Sequence, residues 1–110
     1  MDTQAKIELL DNAIDLLRKG WCKGELAKDM NGFVTFPEAS YACSFCLAGS
    51  IMGAGRQLKT EEVDHLLGQV ARSCPDGSLV KFNDDIAESV EEVIGIIEQT
   101  KTRLQAESLV

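Results

Sequence analysis

From Ala39 to Ala54 the chain carries no charged residue, and most of its side chains there are small: Ala39, Ser40, Ala42, Cys43, Ser44, Cys46, Ala48, Gly49, Ser50, Gly53 and Ala54. A stretch without charge belongs in the interior, and small side chains let neighbouring backbones come close. The segment reads as a helix that begins near Pro37-Glu38 and runs to about Met52. Proline is tolerated in a first turn, and Glu38 sits well beside the positive end of the helix dipole. The rest of the chain is expected to wrap around this helix, with Gly49 and Gly53, four apart, marking the tightest contact.

The flanking segments have the pattern of helices that would do so. Ile7, Leu10, Ile14 and Leu17 recur at helical spacing, widened by Leu9, Ala13 and Leu16, so a first helix spans about Asp2 or Thr3 to Lys19 with Gly20 as its stop. Thr60 is read as the cap of a further helix striped by Val63, Leu66, Leu67 and Val70. Cys74-Pro75-Asp76-Gly77-Ser78 breaks the chain. A last helix starts at Asn83-Asp84-Asp85, where Asp85 with Glu88 matches a capping box, and buries Ile86, Val90, Val93, Ile94, Ile97 and Leu104. Asn31-Gly32 signals a tight turn between short arms, a hairpin over about 26–36 that must lie against the helices to be stable. The expected fold is therefore mainly α: about four helices packed around a small-residue central helix, with one short β-hairpin. At 110 residues the chain is one helical domain, its tail frayed after about Gln105. It shows neither a basic, then apolar leader nor an apolar run of about 20 residues, so a cytoplasmic location with no membrane contact is expected.

Charge is distributed unevenly. Residues 1–60 hold seven acids and seven bases, whereas residues 61–98 hold ten acids against Arg72 and Lys81, and the net charge is −7. An acidic half repels phosphate, so direct nucleic-acid binding is not expected, while a basic protein surface would be attracted. Glu61, Glu62, Asp84, Asp85, Glu88, Glu91 and Glu92 form the candidate partner-binding surface. A homodimer is compatible with the same sequence.

Groups able to do chemistry are few. Cys22, Cys43, Cys46 and Cys74, with His65, could in principle complete a zinc shell. However, Cys43-x-x-Cys46 lies in the expected helix, where cysteine acts as a small hydrophobe, so core thiols are the leading reading and zinc the minor one. His65 is the only histidine, and its neighbour Asp64 points about 100° away on a helix, so no dyad forms. Gly49-x-x-x-Gly53-x-Gly55 lacks the Lys-Ser/Thr of a phosphate loop. No catalytic set and no cofactor are expected. Trp21, Asp29, Tyr41 and Asn83 make an alternative candidate site, a small-ligand pocket between hairpin and central helix.

Taken together, Trp21-Cys22-x-Gly24-x-x-Ala27-x-Asp29, then Gly32, then Ala42-x-x-x-Cys46-x-x-Gly49-Ser50-Ile51, then Phe82-Asn83-Asp84, resemble an uncharacterised family of small bacterial and bacteriophage proteins. The family's pattern is a Gly-Trp, a Cys-x-x-Gly-Ala segment and an aromatic-Asn-Asp before a closing helix. The resemblance covers about residues 7–98. It implies a mainly helical fold and a bacterial or phage setting, and no catalytic residues. Phe82 stands where tryptophan is usual and Ser50 where alanine is, and Cys43 lies outside the pattern. The expected function is that of a non-enzymatic acidic interaction protein, a phage or mobile-element accessory inhibitor of a host macromolecule. The alternative is a binder of a nucleotide or metabolite.

Overall fold

Asp2 opens the first helix, its carboxylate accepting the Ala5 amide at 2.8 Å, and Thr3–Lys19 (α1) follows. The stripe read from the sequence is the buried one: Leu10 and Ala13 are fully enclosed, with Ile7, Ile14 and Leu17 beside them. Gly20 ends the helix in extended backbone, φ −177°. The computed structural model describes residues 1–109.

After α1 come two short strands, Ala27–Lys28 (β1) and Ser44–Phe45 (β2), then helices Leu47–Ala54 (α2), Thr60–Ala71 (α3), Leu79–Lys81 (α4) and Val90–Glu107 (α5). A π-turn, Phe82–Ile86, continues α4. The fold is mainly α, with a small antiparallel sheet. Helix α1 packs on both α2 and α5, and α3 closes against the same two helices. Pairs Arg18–Glu91 and Asp11–Lys101 set α1 antiparallel to α5. Leu10 and Leu17 from α1, Leu47 and Ile51 from α2, Leu66 and Val70 from α3, and Val93 and Ile97 from α5 form the core. A polar staple ties the end of α3 to α5: Thr100 donates to Ser73 Oγ at 2.8 Å, and Arg103 donates to Ser73 Oγ and to the Gln69 carbonyl.

The central helix is shorter than the sequence pattern predicts. It begins at Leu47, not near Pro37. Residues 36–42 instead make successive tight turns, Ala39 N–H to Phe36 O and Ala42 N–H to Ala39 O. Residues 43–46 then form sheet hydrogen bonds, Cys43 N–H to Lys28 O at 2.8 Å, Phe45 N–H to Gly20 O at 2.9 Å and Cys46 N–H to Leu26 O at 3.1 Å. These bonds satisfy the backbone on both sides and bury Phe45, so extended backbone wins over helix propensity. Cys46 is the cap, its sulfur accepting the Gly49 amide at 3.2 Å. The close-packed glycines are where the pattern put them, but they face loops. A Cβ on Gly49 would lie 1.9 Å from the Leu26 carbonyl oxygen, and one on Gly53 2.9 Å from that of Pro37.

The hairpin also differs in its partners. The ladder pairs Ala27 with Phe45 and Lys28 with Ser44, while the arm after Asn31-Gly32 is held by a single bridge, Lys28 to Val34. Only Gly32 takes a positive φ, 83°, so the turn is not the mirror-image two-residue type. Gly32 N–H bonds Asp29 O, Asp29 N–H bonds Phe33 O, and the Asp29 carboxylate accepts from Asn31 and Phe33. That is a three-residue loop with glycine at the left-handed position.

Two helix starts move as well. Thr60 is the first helical residue rather than the cap, which is Lys59. Asp85 does not cap the last helix, because the chain turns extended at Ala87 and Ser89 caps α5, accepting from Glu92 N–H. Glu92 in turn accepts from Glu88 N–H, so a box-like cap forms four residues later than the sequence pattern suggests. Helix α5 continues to Glu107, past the point where fraying is expected.

Candidate functional site

Four segments distant in sequence meet at Asn83. Ser78 starts α4 by accepting Lys81 N–H at 3.1 Å, and the backbone then widens into the π-turn, closed by Ala87 N–H to Phe82 O at 2.8 Å. That widening directs Asn83 inward, where it is fully buried. Its Oδ1 accepts from Trp21 Nε1 at 2.7 Å and from Leu47 N–H, in the first turn of α2, at 3.0 Å. Its Nδ2 donates to Cys22 O at 3.0 Å and to Asp84 Oδ1 at 2.8 Å. Asp84 also accepts from Gly24 N–H at 3.0 Å. Lys23 reaches over the Trp21 ring, 5.3 Å from its centre, and donates to Ala87 O at 2.8 Å. Every hydrogen-bonding group of the Asn83 amide is therefore used, and a fully satisfied network of this kind specifies and rigidifies a fold.

Beside the hub lies a pocket of about 190 Å³ lined by Gly24, Glu25, Leu26, Cys46, Val80 and Asp84. It brings a thiol and a carboxylate to one wall. Burial raises the Cys46 thiol above its usual range, and burial likewise raises Cys22, so both remain protonated at neutral pH and neither is an activated nucleophile. His65 supplies no base there: it is exposed on α3 and lines a different groove with Met1, Lys6, Glu61 and Glu62. A typical small-molecule site encloses about 300–1,000 Å³, so this pocket is undersized for a nucleotide. A larger groove of about 730 Å³ runs along α1, open to solvent, with both Glu8 and Asp15 and both Lys19 and Arg56 on its walls.

Of the ligand-site residues expected from the sequence, Trp21 and Asn83 come together, while Asp29 is occupied by its own turn and Tyr41 is exposed elsewhere. The zinc alternative fails on geometry. Cys43 is exposed and Cys74 is buried at the end of α3, donating to Val70 O at 3.7 Å, with its thiol pushed up to about 11 by burial. Among the described residues no group of three or more His, Cys, Asp or Glu side chains could hold a metal ion.

The acidic surface is divided too. Glu61 and Glu62 lie beside Met1 and Lys6, at the start of α1, whereas Glu91 pairs with Arg18 at its end. Arg18 lies twelve residues on from Lys6, about 18 Å along the helix at about 1.5 Å per residue. Asp84 points into the hub. Asp85, Glu88, Glu91 and Glu92 remain exposed near the start of α5.

One surface feature was not anticipated from the sequence. Met30, Phe33, Val34, Phe36 and Tyr41 are 84%, 70%, 62%, 77% and 63% exposed, all within one segment. The arm was expected to fold down onto the helices; instead the helices are covered by Ala27, Ala42 and Phe45, and the arm stands outside them. Its sequence held one signal: Phe33, Val34 and Phe36 break the apolar–polar alternation of a half-buried strand.

Fold and hub together define a small, mainly helical domain locked by an internal Trp–Asn–Asp network. The chain belongs to DUF6197, a family of unknown function, whose model matches residues 1–103. No curated protein and no solved structure matches it. Among the described residues no helix is long and apolar enough to cross a membrane.

Proposed function

We propose that this protein is a non-enzymatic interaction module that acts by surface binding, with the segment from Met30 to Tyr41 as its principal contact. The observation that carries this reading is the exposure of five large apolar side chains in that one segment. The largest apolar patch on a monomeric protein is often its contact site, and larger patches rimmed by polar residues mark interaction surfaces. Aromatic residues and methionine are the types enriched in such contacts. The groups that could do chemistry support the same reading from the other side: Asn83 and Asp84 are committed to internal hydrogen bonds, and the Cys22 and Cys46 thiols are held protonated.

The net charge of −7 adds a preference for a partner with a basic surface, steering encounter rather than supplying most of the affinity. Asp85, Glu88, Glu91 and Glu92 are the acids placed to do this. A phage or mobile-element accessory inhibitor, occluding a basic site of a host macromolecule, is a protein of this kind. The test uses wild-type protein and a Phe33→Ser/Phe36→Ser variant as baits in the native host lysate. A partner held by wild type and lost by the variant is expected, with an association rate that falls as salt rises. Equal recovery by both baits would overturn the assignment of the contact surface.

A further inference from the structure

One edge of the sheet is formed by the arm that follows Asn31-Gly32, and its geometry suits one occupant. Trp21 bridges Phe45 on the outer side of β2, β2 pairs with β1, and Val34 bridges Lys28 on the other side of β1. The order across the sheet is therefore Trp21, β2, β1 and the arm Phe33–Phe36, which leaves the arm outermost. Asp29 N–H to Phe33 O at 2.8 Å and Thr35 N–H to Ala27 O at 3.1 Å turn the polar groups of residues 33 and 35 inward. Because successive residues of an extended strand present their polar groups to opposite edges, the N–H and C=O of Val34 face outward. Among the described residues neither has a hydrogen-bond partner.

Resting on the reading of this segment as the contact surface, we propose that its occupant is a second copy of the chain. The two Phe33–Phe36 arms pair antiparallel about a two-fold axis, with Val34 opposite Val34. In that register the two valines exchange both N–H···O=C bonds, as a hydrogen-bonded antiparallel pair does, and the contact is self-complementary by construction.

Three observations favour a copy over another occupant. Residues 30–36, Met-Asn-Gly-Phe-Val-Thr-Phe, include no charge, so two chains that each carry −7 meet where like charges are absent. The arm also lacks the lysine, inward charge or internal proline that blunts an unpaired edge; Pro37 comes only after it. Finally, the exposed area is of the right order. With about 200 Å² per aromatic ring, Phe33, Phe36 and Tyr41 expose about 400 Å², and Met30 and Val34 bring this to roughly 600 Å² per copy, which covered on both copies equals the lower limit of about 1,200 Å² for a specific interface.

The experiment measures the mass of the full-length protein by light scattering and sedimentation across micromolar to millimolar concentration. Wild type is expected to double its mass from 12.0 kDa. Val34→Lys and Val34→Glu, each placing like charges face to face, are each expected to stay monomeric, and an equimolar mixture of the two to recover the doubled mass. Hydrogen exchange at the Val34 amide of wild type gives a second readout free of any variant, protection appearing as concentration rises. A wild-type protein that stays at monomer mass with an unprotected Val34 amide overturns the dimer. So does a doubled mass that both charged variants retain. If wild type is monomeric but the Phe33→Ser/Phe36→Ser bait loses a lysate partner, the dimer falls and the contact surface stands; if that bait loses nothing, both fall.

Discussion

Replacing Asn83 by alanine probes the hub without touching the surface. The side-chain amide serves four groups, and two of them, Leu47 N–H and Cys22 O, lie in buried residues that water does not reach. Trp21 is only half-buried and Asp84 is partly open, so solvent can replace their lost contacts. Leaving a buried polar group unpaired costs about 1–3 kcal/mol, and the missing volume adds to that, so Asn83→Ala is expected to lose about 3–6 kcal/mol. Domains of this length have about 5–15 kcal/mol in all, and the melting temperature should fall by about 13–26 °C. Circular dichroism with heat and with urea measures both, the urea midpoint dropping with an unchanged slope. Asn83→Asp keeps the two accepted bonds but sets a carboxylate oxygen against Cys22 O and the Asp84 carboxylate. It should therefore be less stable at neutral pH than in mild acid, where one carboxyl carries a proton. A loss below about 1.5 kcal/mol for Asn83→Ala would refute the view of a sealed, fully used network.

Gly49→Ala drives a methyl group into the Leu26 carbonyl and is expected to cost at least about 3 kcal/mol, whereas Gly95→Ala in α5 meets nothing within 4 Å and should gain about 0.5–1 kcal/mol; urea unfolding of the pair checks both signs. Native protein at neutral pH should show one promptly reactive thiol, Cys43, and four after denaturation, and a second prompt thiol would mean that Cys46 or Cys22 is more open than its burial indicates. The fold holds Cys74 protonated from 9.0 up to about 11 by burial, and raises Cys22 and Cys46 by the same cause, so the folded state binds more protons there than the unfolded chain. Stability is then complete below about pH 9 and lost as pH rises toward 11, with Lys101, raised by its hydrogen bond to Asp11, adding the same sign. A urea midpoint that stays level across that window, or one whose slope Cys74→Ala leaves unchanged, would contradict this.

Helical periodicity was the most readable part of the sequence. The stripes of α1, of α3 and of α5 from Val93 onward, and the tight approach at Gly49, follow from spacing and residue size alone, because those features act locally, whereas Ile86, expected in the last stripe, is exposed in the π-turn. The late start of α2 was not legible, since Ala39, Ser40, Ala42 and Cys43 are compatible with a helix and yield only to long-range bonds from Gly20, Leu26 and Lys28. The same cause hid the cap of α5: the π-turn that carries Asn83 inward is held by hydrogen bonds to Trp21 and Cys22, which no local pattern encodes. At the surface, composition located the acids but could not show that α1 separates Glu61 and Glu62 from Glu91. The open arm was harder still, because a short apolar run reads as core until the core is seen to be filled without it.

On our proposal the protein meets its partners through the Met30–Tyr41 segment and not through its interior or its acidic helix. Site-specific photo-cross-linking tests this most directly. A benzophenone side chain is placed at Phe33, and for comparison at Gln99, which is exposed on α5. Cross-linked adducts are predicted from position 33 and not from position 99. Adducts from position 99 with none from position 33 would contradict the account.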